Sequence, residues 1–123
     1  MHVLVIDDEE GMRAGLQIFL GNRHSVDLAS SAAEGIRAIE QKNPDAILLD
    51  MHMEGGNGDV VLDHLVKNSL NIPVIVTSAF STEVIHKKFT AESGKWVHLR
   101  KPMDLKKLTE ILDSFKKPQG DVR

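Results

Sequence analysis

Five short apolar runs alternate with longer amphipathic stretches along this chain. Val3–Ile6 is continuously apolar and mostly β-branched, the pattern of a strand buried on both faces. Glu9–Leu20 follows with helical periodicity, acids in its first turn where the helix dipole favours them, and Gly21 as its stop. Val26–Ala29 predicts a second strand. Ser31-Ala32-Ala33-Glu34 has the form of a capping box and opens a helix that turns Ile36 and Ile39 inward. Asn43-Pro44 breaks that helix, and Ala46–Leu49 is the third strand. A Gly-rich loop, Glu54–Gly58, leads into a helix over Asp59–Lys67. Pro73 can precede a strand because the first position needs no ladder donor, so Val74–Val76 is the fourth. Ser81 is an N-cap for a helix to about Glu92, with Gly94 as its stop. Trp96–Leu99 is the fifth strand. Leu105, Leu108, Ile111, Leu112 and Phe115 recur at helical spacing in the last helix, Leu105–Phe115.

Strands alternating with helices imply an α/β fold, a parallel sheet with helices on both faces. Ligands of such folds bind at the carboxyl ends of the strands, near the point where strand order reverses. The polar residues of interest fall at those ends. Asp7 and Asp8 follow the first apolar run, Asp50 the third, Thr77 the fourth and Lys101 the fifth. Three carboxylates, a hydroxyl and an ammonium can bind a hard divalent cation and a phosphoryl group together. Mg²⁺ takes oxygen ligands and is usually held by one or two carboxylates, phosphate and water. Without a cation, clustered carboxylates repel one another. A carboxylate can also act as a nucleophile and form an aspartyl phosphate. Phosphoryl transfer needs positioning and neutralisation of charge on the phosphoryl oxygens. The cation and Lys101 would supply the neutralisation, and Thr77 Oγ one hydrogen bond.

Bulk composition narrows the classes. A chain of 123 residues with 41% hydrophobic and 27% charged residues suits one globular domain. A net charge of -3 argues against a nucleic-acid-binding surface, which needs a basic excess. Cysteine is absent, which removes disulfides and thiolate chemistry and fits a cytoplasmic setting. No stretch approaches the roughly 20 apolar residues that span a bilayer, and Val3–Ile6 is too short for a signal-peptide core. The polar end, with Pro118 and Gly120, reads as a flexible tail or the start of a linker, which gives a domain over 1–117 and a tail over 118–123.

These residues resemble a known family. Ile6-Asp7-Asp8-Glu9, Asn43 through Met53 around Asp50, Gly58, Val76-Thr77-Ser78-Ala79 and Lys101-Pro102 stand in the order and spacing of the receiver domains of two-component response regulators, over essentially the full chain. The resemblance implies a flavodoxin-like (βα)5 fold with strand order 2-1-3-4-5. It implies phosphorylation of Asp50 by a sensor histidine kinase or a histidine phosphotransfer protein. It implies that Asp7, Asp8, Asp50 and the backbone carbonyl of His52 hold Mg²⁺, or Mn²⁺ in its place. Thr77 would move toward the phosphoryl group, Lys101 would pair with it, and Lys101–Pro102 would be a cis peptide. Such a protein is a switch rather than a conventional enzyme, although it catalyses its own phosphorylation and dephosphorylation. Its output would pass to a downstream effector protein or to an output domain outside this sequence, from a monomer or a phosphorylation-dependent dimer.

Some positions depart from the family pattern. Glu54 stands where the family usually has Pro, and Ser78 where it usually has Ala or Gly. His98 replaces the usual Tyr or Phe, in a chain that has no Tyr. His98 is therefore the candidate switch residue on the output side, and an imidazole there would have to do the work of an aromatic ring. Trp96 shares its strand face by period-2 alternation and is read as part of a partner surface. The histidines show no close metal-ligand spacing, which argues against a transition-metal site.

Other classes fit less well. A haloacid-dehalogenase-type phosphatase needs a second Asp two residues after its nucleophile, and here that position is His52. A flavodoxin-like electron carrier needs a hydroxyl- and Gly-rich phosphate loop, and Asp7-Asp8-Glu9-Glu10 would repel the FMN phosphate. A degenerate receiver that acts only by protein binding would keep the fold and lose the chemistry.

Overall fold

A computed structural model describes residues 1–53, 58–79 and 96–121, with side chains as far as residue 115. The elements are β1 (His2–Ile6), α1 (Glu10–Leu20), β2 (Ser25–Ala29), α2 (Ala32–Lys42), β3 (Ala46–Asp50), α3 (Asp59–Lys67), β4 (Val74–Ser78), β5 (Trp96–Arg100) and α4 (Leu105–Asp121). The strands are parallel and lie in the order β2-β1-β3-β4-β5, so strand order reverses beside β1 and β3. The expected helix from Ser81 with its stop at Gly94, and Glu54 of the Gly-rich loop, lie outside the described residues.

Alternation along the buried strands divides the core in two. Leu4, Ile6, Ile47, Leu49, Val74 and Val76 meet Ile39 of α2 and Val61, Leu62 and Leu65 of α3 on one face. Val3, Val5, Leu48, Ile75 and Leu99 meet Leu16 and Leu20 of α1 and Leu108 and Leu112 of α4 on the other. Burial of each such side chain stabilises by about 1.5–3 kcal/mol. Every residue of β3 and β4 is buried, which is why Ala46–Leu49 and Val74–Val76 within them read as uninterrupted apolar runs. Trp96, expected at a partner surface, packs half-buried against the first of these clusters.

Local signals set most boundaries. Ser31 Oγ accepts the Glu34 N–H at 3.1 Å, the expected N-cap of α2. The reciprocal arm lands one residue further out. Glu34 Oε1 accepts from the Ser30 N–H at 2.8 Å and from the Ser30 hydroxyl at 3.0 Å. Asn43 closes α2 in the left-handed region at φ 50°. Gly35 is fixed by a close approach, since a Cβ there would stand 2.5 Å from Ile6 Cδ1. Ladder pairing carries β3 through Asp50 and β4 through Ser78, beyond the apolar runs that predicted them. The backbone of α4 likewise runs on past Phe115 to Asp121. Among the described residues, no helix is long and apolar enough to cross a membrane.

Candidate functional site

The carboxyl ends of β1, β3, β4 and β5 converge. Asp7 follows β1, and its N–H continues the pairing with β2 by donating to the Ala29 carbonyl at 3.0 Å. Asp50 is the last residue of β3 and stands in register with Thr77 of β4. Lys101 leaves β5 with its N–H donating to the Ser78 carbonyl at 2.8 Å, and its bond to Pro102 is cis. One carboxylate oxygen each from Asp7, Asp8 and Asp50 lies within 4.8 Å of the others. Asp7 and Asp50 are buried, whereas Asp8 is exposed. Lys101 Nζ approaches Asp50 Oδ1 at 3.5 Å and Asp7 Oδ2 at 3.8 Å.

Backbone donors orient the acids. The Glu9 N–H donates to Asp7 Oδ1 at 2.9 Å, and the His52 N–H donates to Asp50 Oδ1 at 3.1 Å. The Gly58 N–H donates to the Met51 carbonyl at 3.1 Å. A Cβ at Gly58 would stand 2.9 Å from the Asp50 carbonyl oxygen and 3.1 Å from Met51 Cα, so only glycine allows this approach without a shift.

Burial pushes the Asp7 carboxyl above its ordinary range. The Glu9 N–H counters this, the Asp50 carboxylate adds to it, Lys101 counters it and Asp8 adds again. With every group ionised, three negative charges and one positive leave −2 in one small region. That balance, from hard oxygen donors, fits a divalent cation of the Mg²⁺ type.

Thr77 and His98 are placed differently from the acids. Thr77 is buried, and its hydroxyl donates to the Leu49 carbonyl at a long 3.4 Å. His98 pairs in register with Val76 on the edge strand β5. Burial lowers the pKa of its half-buried imidazole, and the neighbouring Arg100 lowers it further. One residue of the site went unremarked in the sequence. Arg13 of α1 donates from Nη1 to the Asp7 carbonyl at 2.8 Å. Its own N–H donates to the Glu9 carbonyl at 3.1 Å.

The model of the response regulator receiver domain family matches residues 3–113. The chain belongs to this family. Receiver domains are signalling switches of two-component systems and not conventional enzymes. This receiver is 29% identical over 116 residues to sporulation initiation phosphotransferase F of Bacillus subtilis, covering 94% of this chain and 90% of that protein. It is 31% identical over 126 residues to the response regulator MprA of Mycobacterium avium, covering 99% of this chain and 55% of that protein. It also matches 31% of a protein-glutamate methylesterase/protein-glutamine glutaminase of Koribacter versatilis, so it spans most of one relative and a third to a half of others. Among solved structures, the receiver domain of Francisella response regulator 1452 superposes with a TM-score of 0.83 at 26% identity, covering 96% of this chain and 98% of that one. The strand order expected for the family is the one found.

Proposed function

We propose that this receiver is switched by phosphorylation of Asp50. The observation that carries the reading is the placement of the buried Asp50 carboxylate within 3.5 Å of Lys101 Nζ and within 4.8 Å of two further carboxylates. In the transfer, an Asp50 oxygen attacks the phosphorus of the donor. The bond from phosphorus to the donor's imidazole nitrogen, or to the acyl oxygen of a small phosphodonor, breaks, and the leaving group keeps the electron pair. Asp7, Asp8, Asp50 and the His52 carbonyl would hold Mg²⁺ or Mn²⁺. Such a cation supplies neutralisation of charge on the phosphoryl oxygens. Lys101, already within reach of Asp50, exchanges its carboxylate contact for a phosphoryl oxygen.

Thr77 turns its hydroxyl from the Leu49 carbonyl to the phosphoryl group. A hydrogen bond 3.4 Å long is weak, so its loss costs less than the usual net value of about 1 kcal/mol. His98, on the neighbouring strand, reads this movement and alters the output face by a population shift. The same groups serve self-catalysed phosphorylation and dephosphorylation. The donor is a sensor histidine kinase or a histidine phosphotransfer protein in the cytoplasm. The output is a downstream effector or a further domain, with the receiver unit at 1–117 and residues 118–123 leading from it. It acts as a monomer or a phosphorylation-dependent dimer.

Intact-mass analysis after incubation with acetyl phosphate and Mg²⁺ tests the reading. A single adduct is expected that disappears with EDTA and in Asp50→Asn. A folded wild type that gains no adduct would refute it and leave a receiver that works by binding alone.

A further inference from the structure

We infer that Arg13 is a positioning residue for the cation site, acting through the backbone of Asp7. The inference rests on the proposed cation-binding role of Asp7, Asp8 and Asp50. Three contacts make the connection. Arg13 Nη1 donates to the Asp7 carbonyl at 2.8 Å. The Arg13 N–H donates to the Glu9 carbonyl at 3.1 Å, which fixes the arginine to the first turn of α1. The Glu9 N–H in turn donates to Asp7 Oδ1 at 2.9 Å. Asp7, Glu9 and Arg13 thus form a closed ring of hydrogen bonds around the segment that carries both Asp7 and Asp8.

The ring answers a need created by the acids. Asp7 is buried beside Asp50 and close to Asp8, so like-charge repulsion favours spreading of the loop. Its N–H is held by the Ala29 carbonyl, which fixes only the strand side of the residue. The Arg13 contact fixes the carbonyl side. A planar guanidinium presents its N–H donors in a fixed fork, so it can hold the carbonyl in one geometry. A lysine ammonium is a compact, strongly hydrated point charge and does not reproduce that geometry.

A positive charge near a cation site would by itself weaken cation binding. Tethering and charge therefore predict opposite signs, and this separates them. Under tethering, Arg13→Lys keeps the charge but loses the guanidinium geometry, and Arg13→Met loses both. Loss of a group that orients metal ligands typically weakens affinity by about 10- to 100-fold. The lower end, about tenfold, is expected here because Arg13 acts on only one segment of the site.

The experiment is calorimetric titration of Mg²⁺ into wild type, Arg13→Lys and Arg13→Met, with melting temperatures taken in EDTA and phosphorylation rates taken over a range of Mg²⁺. Both variants are expected to bind Mg²⁺ about tenfold more weakly than wild type while melting close to it in EDTA. Their phosphorylation rates are expected to return toward wild type when Mg²⁺ is saturating, because Arg13 positions ligands and touches no reacting atom. Unchanged affinity in Arg13→Lys, or tighter binding in Arg13→Met, would overturn the inference and leave a charge effect. Low melting temperatures in EDTA together with unchanged affinity would assign Arg13 a purely structural role and equally overturn it. Failure of wild type to bind Mg²⁺ would remove the cation reading, and this inference with it.

Discussion

Asp7→Asn should stabilise the protein without divalent cations and abolish its stabilisation by Mg²⁺. The sign follows from the charges around Asp7. At an effective dielectric of about 20, attraction to Lys101 at 3.8 Å is about 4 kcal/mol, and repulsion from Asp50 at no more than 4.8 Å is at least about 3.5 kcal/mol. Asp8, exposed and screened, adds to the repulsion. These contributions nearly cancel, so desolvation of the buried carboxylate decides, and it opposes ionisation. Asparagine keeps an oxygen for the Glu9 N–H and removes the charge. A gain of about 1 kcal/mol is expected, in the range of ordinary single substitutions. For 123 residues this raises the melting temperature by about 4 °C. Mg²⁺ at about ten times its dissociation constant adds about 1.4 kcal/mol to wild type, or about 5 °C, and almost nothing to the variant. The pH dependence has a matching sign. Folding raises the Asp7 pKa above its ordinary 3.8, so the folded state binds more protons just above that pH and stability falls as pH rises through the window. The advantage of Asp7→Asn should therefore shrink on acidification toward 3.8. Calorimetric melts with EDTA and with Mg²⁺ give every value. An Asp7→Asn variant that melts below wild type in EDTA and keeps the full Mg²⁺ shift would refute the argument.

Other substitutions probe the supports of the site. Gly58→Ala should cost about 1–3 kcal/mol in urea unfolding, because the new Cβ meets the backbone of Asp50 and Met51 as well as the Met51 sulfur. Leu108→Ala, at a fully buried position of α4, should cost about 2–5 kcal/mol by the same measurement. Ser31→Ala removes the acceptor for the Glu34 N–H and should cost about 1 kcal/mol. His98 has its pKa lowered by burial, so it contributes stability that is present above its ordinary 6.5 and lost as pH falls below it. His98→Gln should flatten that loss in denaturant unfolding at a series of pH values.

The fold was legible because its buried strands leave a direct trace. A central parallel strand has no solvent face, and Val3–Ile6, Ala46–Leu49 and Val74–Val76 show it as runs without polar interruption. The trace fails at strand ends. Asp50, Thr77 and Ser78 are polar and yet belong to the ladder, so hydrophobicity alone ends β3 and β4 too early. The misplacement is physical. These positions need the precision of a paired strand to hold chemistry, and their side chains contradict the burial pattern of the strand that holds them. Trp96 shows the opposite failure. Its strand face, shared with His98 by alternation, suggested a partner surface, while its packing against the first core cluster is a tertiary fact that alternation does not reveal.

The acids, Thr77 and Lys101 were legible as candidates because their side chains suit the proposed chemistry. Arg13 was not, because it acts on a backbone atom. Arg13 binds a carbonyl that every residue possesses, so nothing in the identity of Asp7 announces its partner. Gly58 was marked by the family pattern, but its physical reason, the absence of a Cβ beside the Asp50 carbonyl, is a packing fact that the sequence does not show. The state of Thr77 is a third case. Its position was evident, yet its hydroxyl faces the Leu49 carbonyl through a 3.4 Å contact, and an orientation held so weakly cannot be read from the residue type. Sequence thus specifies where the switch stands. Under the proposed phosphorylation, a phosphoryl group at Asp50 would bring new acceptor oxygens to a hydroxyl with little to lose and so decide which way it turns.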